Sequence, residues 1–381
     1  MSEDLAAFIE QVTGDSHLRV EEDLGDGFVR LRTAEAERRQ ARHDIRSSED
    51  VVIELLRNSR DAHARNIFVA TSKEADTRRI TVIDDGDGIP EKMHERIFDA
   101  RVTSKLDTMH MDLWGVHGRG MALYAVKVNA ERAEVVASKV DGGSSVFVEI
   151  DTRHLGEKRD QSSMPTFLVS EEGIVTVRGP KNINRTICEF AYIERSRCKV
   201  FHGSPAEIAA TLWHLGRNTL TQSVIAFCSD PQDLAVWKRL AIATAPEEFA
   251  EIASSIGLTL SSRTARRIID GDIAELHPVT ALITPASEDA NVDKSIQRKR
   301  DEAVASLSDD AADESDFLSN VLFKDTRGLR LAEDDRIEFQ RGIAKAYRKL
   351  AKAYYLDATI QPDVKIRKDR IDVYIPVIKQ K

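Results

Sequence analysis

The segment VIDDGDGIP, residues 82–90, places an aspartate at the end of a strand-like run, with two glycines close behind it. The carboxylate of Asp84 could accept a hydrogen bond from an exocyclic amine such as N6 of adenine. Gly86 and Gly88 would let the backbone approach a flat ligand closely. The same pattern also fits a simple Asp-Gly turn, so the segment on its own leaves both interpretations open.

A second segment, GVHGRGMALYAV at residues 115–126, places three glycines before a helical apolar run. Gly115, Gly118 and Gly120 would expose backbone N–H groups at a helix N-terminus, where the helix dipole favours phosphate. A glycine triplet is also typical of a flexible loop. This segment alone therefore does not distinguish a phosphate site from a flexible loop, and the other motifs of the chain must decide.

A third segment, ELLRNSRDAHA at residues 54–64, has the apolar rhythm of a core helix. At about 100° per residue, Glu54, Asn58 and Asp61 share one narrow face, while apolar residues and Ser59 occupy the opposite, buried side. Taken alone, this pattern favours a solvated polar face on an amphipathic helix. A functional face is the alternative.

In this order and spacing, the three segments resemble the ATP-binding motifs of the GHKL superfamily, which includes DNA gyrase B subunits, histidine kinases and MutL. The matching residues are Glu54, Asn58, Asp61 and Ala62, then Asp84, Gly86, Gly88 and Ile89, then Gly115, Gly118 and Gly120. RVTSK, residues 101–105, resembles a MutL segment. GGSSVFVEI, residues 142–150, resembles the family's G-T-x-V strand, with Ser144 in place of threonine.

The resemblance implies an α+β fold, a Bergerat-type α/β sandwich, that binds ATP and Mg²⁺. It implies that Asn58 coordinates the metal, and that Glu54 orients and deprotonates the attacking water. The other residues expected to bind the nucleotide are Asp84, Gly86, Gly88, Ile89, Lys105, Gly115, Gly118, Arg119, Gly120 and Ser144.

Glu54 also bears on the branch of the superfamily, because histidine kinases lack this carboxylate as a hydrolytic base. The chain of 381 residues is too short for the chaperone branch, which leaves resemblance to MutL and the topoisomerase VI B subunit. We therefore expect an ATPase that acts as an ATP-gated homodimeric clamp, with DNA and a DNA-processing partner subunit. The alternatives are a nucleotide-gated regulatory module and a GHKL-type protein kinase without significant hydrolysis.

The composition is that of an ordinary globular protein, with 41% hydrophobic and 31% charged residues. A formal net charge of −9 argues against a protein that coats nucleic acid non-specifically. Three scattered cysteines do not suit a disulfide framework or a zinc site. The first residues lack a signal-peptide pattern and no apolar run is long enough for a membrane span, so we expect a cytoplasmic protein without a membrane partner.

Periodicity predicts strands at 66–71, 79–84, 133–138 and 145–150, and a strand–helix–strand unit at 173–202. We expect an ATP-binding domain at 1–203 with an N-terminal arm at 1–30. A helical domain resembling a helix-two-turn-helix follows at 204–284, then a linker at 285–316. The segment 317–381 is expected to resemble a transducer, with a helix at 334–356 and a strand at 370–378.

Two groups of basic residues outside the motifs are further candidates. Arg263, Arg266 and Arg267 would give one helix a small basic face suited to DNA phosphates, although a solvated charged face is the simpler interpretation. In the GHKL family a lysine from the second domain reaches the γ-phosphate. Lys365 and Lys368 are candidates for that role by their position.

Overall fold

The computed structural model describes residues 20–32, 35–104, 110–112, 115–117, 120–169, 175–228, 230–282, 333–353, 357, 359–360, 362–366 and 371–376. Several expected features lie outside these ranges. They are the first part of the N-terminal arm, the linker at 285–316, Lys105, Gly118, Arg119 and Lys368.

The described residues form several sheets, the largest of which carries the site. The strands are β1 Val20–Gly25, β2 Phe28–Leu31, β3 Asn66–Glu74, β4 Thr77–Asp84, β5 Val102–Thr103, β6 His110–Asp112, β7 Gly115–His117, β8 Arg132–Ser138, β9 Ser144–Asp151, β10 Thr166–Val169, β11 Val175–Arg178, β12 Lys199–Gly203, β13 Asp363–Ile366 and β14 Ile371–Tyr374. The helices are α1 Glu35–Asp44, α2 Ser48–Asp61, α3 Ala122–Asn129, α4 Ile183–Ile193, α5 Pro205–Thr219, α6 Gln222–Phe227, α7 Pro246–Ser255, α8 Ser262–Ile269, α9 Val279–Leu282 and α10 Glu333–Ala353.

The central sheet has the strand order β12-β3-β4-β9-β8. Strands β3, β4, β9 and β8 pair antiparallel in turn, and β12 joins β3 in parallel. The strands predicted at 66–71, 79–84, 133–138 and 145–150 all fall within these strands. The α+β sandwich predicted from the motifs is confirmed.

One face of the sheet packs against α2, α3 and α4. Ile67, Val69 and Val82 point into this core, because alternate residues of a strand face the same side. Helix α2 begins at its N-cap Ser47, whose side chain accepts a hydrogen bond from the backbone N–H of Asp50. Its apolar residues are buried in the same core, so α2 is fixed against the strand that ends in Asp84.

The helical segment after β12 covers the other face of the sheet. Phe68, Ile83 and Phe201 share a second core with α5, α7, α8 and the 3-10 helix Val236–Ile242. Two hydroxyls on this face join the layers, since Thr81 donates to the carbonyl of Gly257 and Ser145 to that of Ile256. The domain boundary predicted after residue 203 stays a prediction.

Two predicted elements differ from the observed ones. The unit predicted at 173–202 is divided between sheets, because β11 pairs with β10 in a separate hairpin whereas β12 joins β3. The stretch PQDLAVWKRLAIA at 231–243 lies in the predicted helical domain, but it forms 3-10 helices at Pro231–Asp233 and Val236–Ile242 rather than an α-helix. The backbone N–H of Val236 bonds to the carbonyl of Gly142, which takes the donor that a continuous helix would use.

A smaller sheet connects the N-terminal hairpin to the strand that precedes residues 105–119. Strand β2 pairs antiparallel with both β1 and β5. The backbone N–H of Leu31 donates to the carbonyl of Arg101, and that of Arg101 donates to the carbonyl of Gly120. Arg101 and Gly120 both have a positive φ, 63° and 65° respectively. Main-chain hydrogen bonds therefore hold together the two ends of the segment 101–120 and the hairpin β1–β2.

The C-terminal residues form α10 and the antiparallel hairpin β13–β14. Helix α10 spans Glu333–Ala353, close to the helix predicted at 334–356, and β14 lies within the strand predicted at 370–378. Lys365 is exposed on β13. Among the described residues, every helix is too short or too polar to cross a lipid bilayer.

Candidate functional site

A cleft of about 510 Å³ lies between α2, the ends of β4 and β9, the turn of the β1–β2 hairpin and the start of α3. This volume is within the range of about 300–1,000 Å³ that is usual for small-molecule sites. The residues lining it include Asn58, Asp61, Ala62, Asp84, Gly88, Ile89, Gly120 and Ser144, all predicted from the motifs. The structure therefore brings the three motifs to one place.

Asp84 lies at the floor of the cleft with a side chain that is almost completely buried. Its Oδ2 accepts hydrogen bonds from the hydroxyls of Ser59 at 3.0 Å and Ser144 at 2.8 Å, and its Oδ1 accepts one from the N–H of Gly86 at 3.0 Å. Burial raises the pKa of Asp84, and these three hydrogen bonds oppose the rise. The carboxylate is thus fixed as an acceptor in a desolvated place, which suits recognition of an amine.

The glycines of the second motif also have a packing role. A Cβ atom on Gly86 would lie 2.3 Å from the carbonyl oxygen of Ala62, and one on Gly88 would lie 2.0 Å from that of Lys139. The prediction that they let the backbone approach a ligand stays a prediction. They first let the turn after β4 pack against α2 and against the β8–β9 turn.

The polar face of α2 contributes two residues to the cleft. Asn58 lines it, and its Nδ2 is buried without a hydrogen-bond partner among the described residues. Asp61 also lines it and accepts a 2.9 Å hydrogen bond from Nε of Arg60, whose Nη1 donates to Glu194 beyond α4. Arg60 thereby ties this end of α2 to the C-terminus of α4, and it positions the Asp61 carboxylate.

Glu54 has a different environment from Asn58. Its Oε1 accepts a 2.9 Å hydrogen bond from Nη1 of Arg57, one turn along the same helix. The side chain of Glu54 is 10% exposed and that of Arg57 is 1% exposed. Glu54 is not among the residues that line the cleft. Its predicted role as a general base stays a prediction.

Comparison with known proteins agrees with this geometry. Residues 43–154 match the family described as histidine kinase-, DNA gyrase B- and HSP90-like ATPase, and the matched part spans the cleft from α2 to β9. Residues 43–154 form a GHKL-type ATPase domain. A stretch of 177 residues is 29% identical to the DNA mismatch repair protein MutL of Lactiplantibacillus plantarum, covering 46% of this chain and 24% of that protein. This chain thus carries an ATP-binding, ATPase-like module, and the match spans about a quarter of the length of this relative.

The described lining of the GHKL cleft is strongly acidic. It includes Asp26, Asp61, Asp84, Asp87 and Asp141, and none of the described lining residues is lysine or arginine. A triphosphate carries several negative charges, so a bound ATP needs positive charge from another source. Mg²⁺ fits this need, because carboxamide and carboxylate oxygens and phosphates are its usual ligands. Asn58, with its buried carboxamide at the cleft, is the residue that would hold it.

The glycine-rich motif of the GHKL domain is only partly described. Gly115 begins β7, which pairs antiparallel with β6. Gly120 adopts a positive φ, and a Cβ atom there would lie 2.9 Å from the carbonyl oxygen of Val102. Lys105, Gly118 and Arg119 lie outside the described residues, so their predicted contacts with phosphate stay predictions.

Two contributions to the cleft were missed by the sequence analysis. Ser59, which was assigned to the apolar side of α2, supports the Asp84 carboxylate, because that side of the helix faces the end of β4. The turn of the β1–β2 hairpin also lines the cleft through Asp26, Gly27 and Phe28. The Asp-Gly pair at 26–27 predicts a hairpin turn, but no local signal places that turn at the cleft.

The basic residues predicted outside the GHKL domain lie on exposed surfaces. Arg263, Arg266 and Arg267 are exposed on α8, whose Ala265 and Ile268 are buried in the second core. The helix therefore presents a cationic face to solvent. The contact of this face with DNA stays a prediction. The contact of Lys365 with a phosphate also stays a prediction.

Proposed function

We propose that this chain is an ATP-gated clamp, in which ATP and Mg²⁺ bound in the GHKL cleft drive two copies to associate and hydrolysis of ATP separates them. We further propose that the clamp acts on DNA with a DNA-processing partner. The relative named as a DNA mismatch repair protein supports this context.

The observation that carries the proposal is the attachment of the β1–β2 hairpin to the cleft. The turn at residues 26–28 lines the cleft, and β2 is bonded to β5. Arg30 donates to Glu22 of β1 and to Asp99 just before β5, at 2.9 and 3.0 Å. A nucleotide that fills the cleft would therefore touch the N-terminal hairpin, which is hydrogen-bonded to Arg101 and, through Arg101, to Gly120. Such a connection can transmit binding to the N-terminal arm.

Three residues, two of which line the cleft, would divide the chemical work. Asp84 would accept a hydrogen bond from N6 of adenine, held by Ser59 and Ser144. Asn58 would hold Mg²⁺, which when bound neutralises phosphate charge and orients the γ-phosphate. Glu54 would take a proton from the attacking water, one helical turn before Asn58.

A second feature supports a role on DNA. The exposed Arg263, Arg266 and Arg267 give α8 a local positive face on a chain of net charge −9. Arginine contacts to phosphate oxygens bind DNA without reading its sequence. A local basic face on an acidic protein would direct DNA to one surface.

Light scattering tests the clamp. A non-hydrolysable ATP analogue with Mg²⁺ should double the molar mass of the protein, and ADP should leave it unchanged. Arg30→Ala, which removes the ion pairs of Arg30 with Glu22 and Asp99, should bind the analogue normally and dimerise at least about ten-fold more weakly. Arg132→Ala, which breaks an exposed ion pair with Glu134 on β8, is the matched control and should dimerise like the wild type. An unchanged molar mass in the presence of the analogue would contradict the clamp and support only an ATP-binding module.

One observation favours a nucleotide-gated module without turnover. Glu54 is paired with Arg57 and does not line the cleft, so the base is not exposed to the cleft in this structure. Phosphate release separates the two functions. The wild type should release phosphate above the background of Glu54→Ala, with and without DNA. Equal release by both proteins would favour the gated module.

A further inference from the structure

The pair formed by Arg57 and Glu54 is unusual in its burial. Arg57 is among the largest fully buried side chains of the described residues, and its Nη1 lies 2.9 Å from Oε1 of Glu54. Surface i,i+3 pairs of this kind contribute little to stability because water screens them. This pair is largely shielded from water, so the guanidinium acts on the carboxylate more strongly than it would at the surface.

Helix geometry places Glu54 between Asn58, which lines the cleft, and Arg57. Ser59 contacts Asp84 and so marks the side and level of the adenine acceptor. Along the helix axis, Glu54 lies about 7.5 Å from Ser59 toward the N-terminus of α2, and Asn58 lies between their two levels. Around the axis, Glu54 is about 40° from Asn58 and about 60° from Arg57, whereas Arg57 is about 160° from Ser59. Around the helix, Arg57 therefore lies on the side of Glu54 that is away from Asn58, and its guanidinium bonds to the Glu54 carboxylate.

A general base in this position must meet two requirements. It must be ionised, yet removal from water favours the neutral acid. It must also hold one orientation, yet a glutamate side chain has several rotamers. A fixed guanidinium satisfies both, because it stabilises the ionised form and directs one carboxylate oxygen.

We propose that Arg57 is a positioning residue that keeps the Glu54 carboxylate ionised and oriented for its reaction with water. The inference rests on the proposed hydrolytic function. Arg57 does not line the cleft, so its loss should lower kcat and leave ATP affinity unchanged. A purely structural ion pair would instead lower stability, and with it binding and turnover together.

The test compares four variants of the full chain with the wild type: Arg57→Met, Arg57→Gln, Arg57→Lys and Arg185→Met. The first two remove the charge, and the third keeps it. The fourth breaks the Arg185–Glu189 pair on α4, which is an i,i+4 pair outside the cleft lining, and serves as the matched control. Phosphate release gives kcat, and titration with a non-hydrolysable ATP analogue in Mg²⁺ gives Kd.

Both neutral variants should lose at least about ten-fold in kcat with Kd within about two-fold of the wild type, and Arg57→Lys should recover most of the loss. Arg185→Met should change neither constant. A wild-type kcat in a folded neutral variant, a Lys variant no better than Met, or equal losses in kcat and affinity would overturn the proposal. So would failure of both neutral variants to fold, because Arg57 would then be a folding residue. Failure of the hydrolytic function itself is seen separately, as equal phosphate release by the wild type and Glu54→Ala.

Discussion

Ser144 donates a 2.8 Å hydrogen bond to Oδ2 of Asp84, and the two residues are also direct partners in the pairing of β4 with β9. The backbone ladder and the side-chain bond therefore fix the same two residues. Ser59 supports the same oxygen from α2. The adenine acceptor of the proposed site is set by the sheet and by a helix together, and so needs little reorganisation when a ligand binds.

Replacement of this acceptor should separate nucleotide binding from folding. We expect Mg²⁺ and ATP to raise the melting temperature of the wild type, because ligand stabilises the folded state by mass action. Asp84→Asn should remove most of this increase, since its amide presents a donor where adenine N6 needs an acceptor. Asp85→Asn is the control, because Asp85 bonds to the backbone of Arg65 and Asn66 and does not line the cleft. An unchanged increase in Asp84→Asn would mean that Asp84 is only a turn residue.

The pH dependence of stability without nucleotide should report on the burial of the same carboxylate. Burial raises the pKa of Asp84 above that of an unfolded aspartate, so the folded state binds the proton more tightly. The wild type should then lose free energy of unfolding as pH rises from about 4 through the folded pKa. Asp84→Asn lacks this loss, so its free energy of unfolding in urea, relative to that of the wild type, should increase with pH over that interval. A relative free energy of unfolding that decreases with pH would show that the three hydrogen bonds affect the pKa of Asp84 more than burial does.

The close packing behind the cleft gives a prediction with a well-matched control. Gly143 and Gly271 have nearly the same φ, +85° and +83°. A Cβ atom on Gly143 would lie 2.0 Å from the carbonyl oxygen of Asp84, whereas one on Gly271 would meet nothing within 4 Å. Gly271→Ala should cost about 1 kcal/mol for its backbone conformation alone. Gly143→Ala should cost about 3 kcal/mol or more and weaken ATP binding. Equal losses in urea unfolding would show that the β8–β9 turn can move aside.

The acidic lining of the cleft predicts a strict requirement for a divalent cation. Removal of Mg²⁺ with EDTA should abolish the ATP-induced rise in melting temperature, because the described lining offers five aspartates and no lysine or arginine. Asn58→Ala should weaken binding of MgATP at least about ten-fold, or about 1.4 kcal/mol. Isothermal titration with and without Mg²⁺ measures both effects. Equal ATP affinity in EDTA would mean that basic residues outside the described lining suffice.

The order and type of the elements around the cleft could be predicted, because they depend on short-range patterns. The Val- and Ile-rich runs correspond to β3, β4, β8 and β9, and the three motifs meet at one cleft. The role of Ser59 could not be predicted. Its partner Asp84 is 25 residues away, and a serine on the buried side of a helix gives no signal of its own.

The close approaches of Gly86 and Gly88 illustrate the same limit. Their neighbours are the carbonyls of Ala62 and Lys139, which belong to other elements, so the sequence indicates a tight turn without indicating what lies against it. The helices that pack on the second face of the central sheet could not be predicted either. Phe68 and Phe201 alternate with residues of the first core, as in any strand buried on both faces, and nothing local names the helices that cover them.

The covered second face limits how the chain can be shortened for experiments. A fragment that ends at residue 203 would expose Phe68, Ile83 and Phe201 to water, and the hydroxyls of Thr81 and Ser145 would lose their carbonyl partners. Such an exposed apolar sheet favours aggregation. A fragment that ends at residue 282 keeps all the residues that the structure describes in these two cores. Expression trials and crystallisation of the ATP-binding part should therefore begin from residues 1–282, although the matched family segment alone is much shorter.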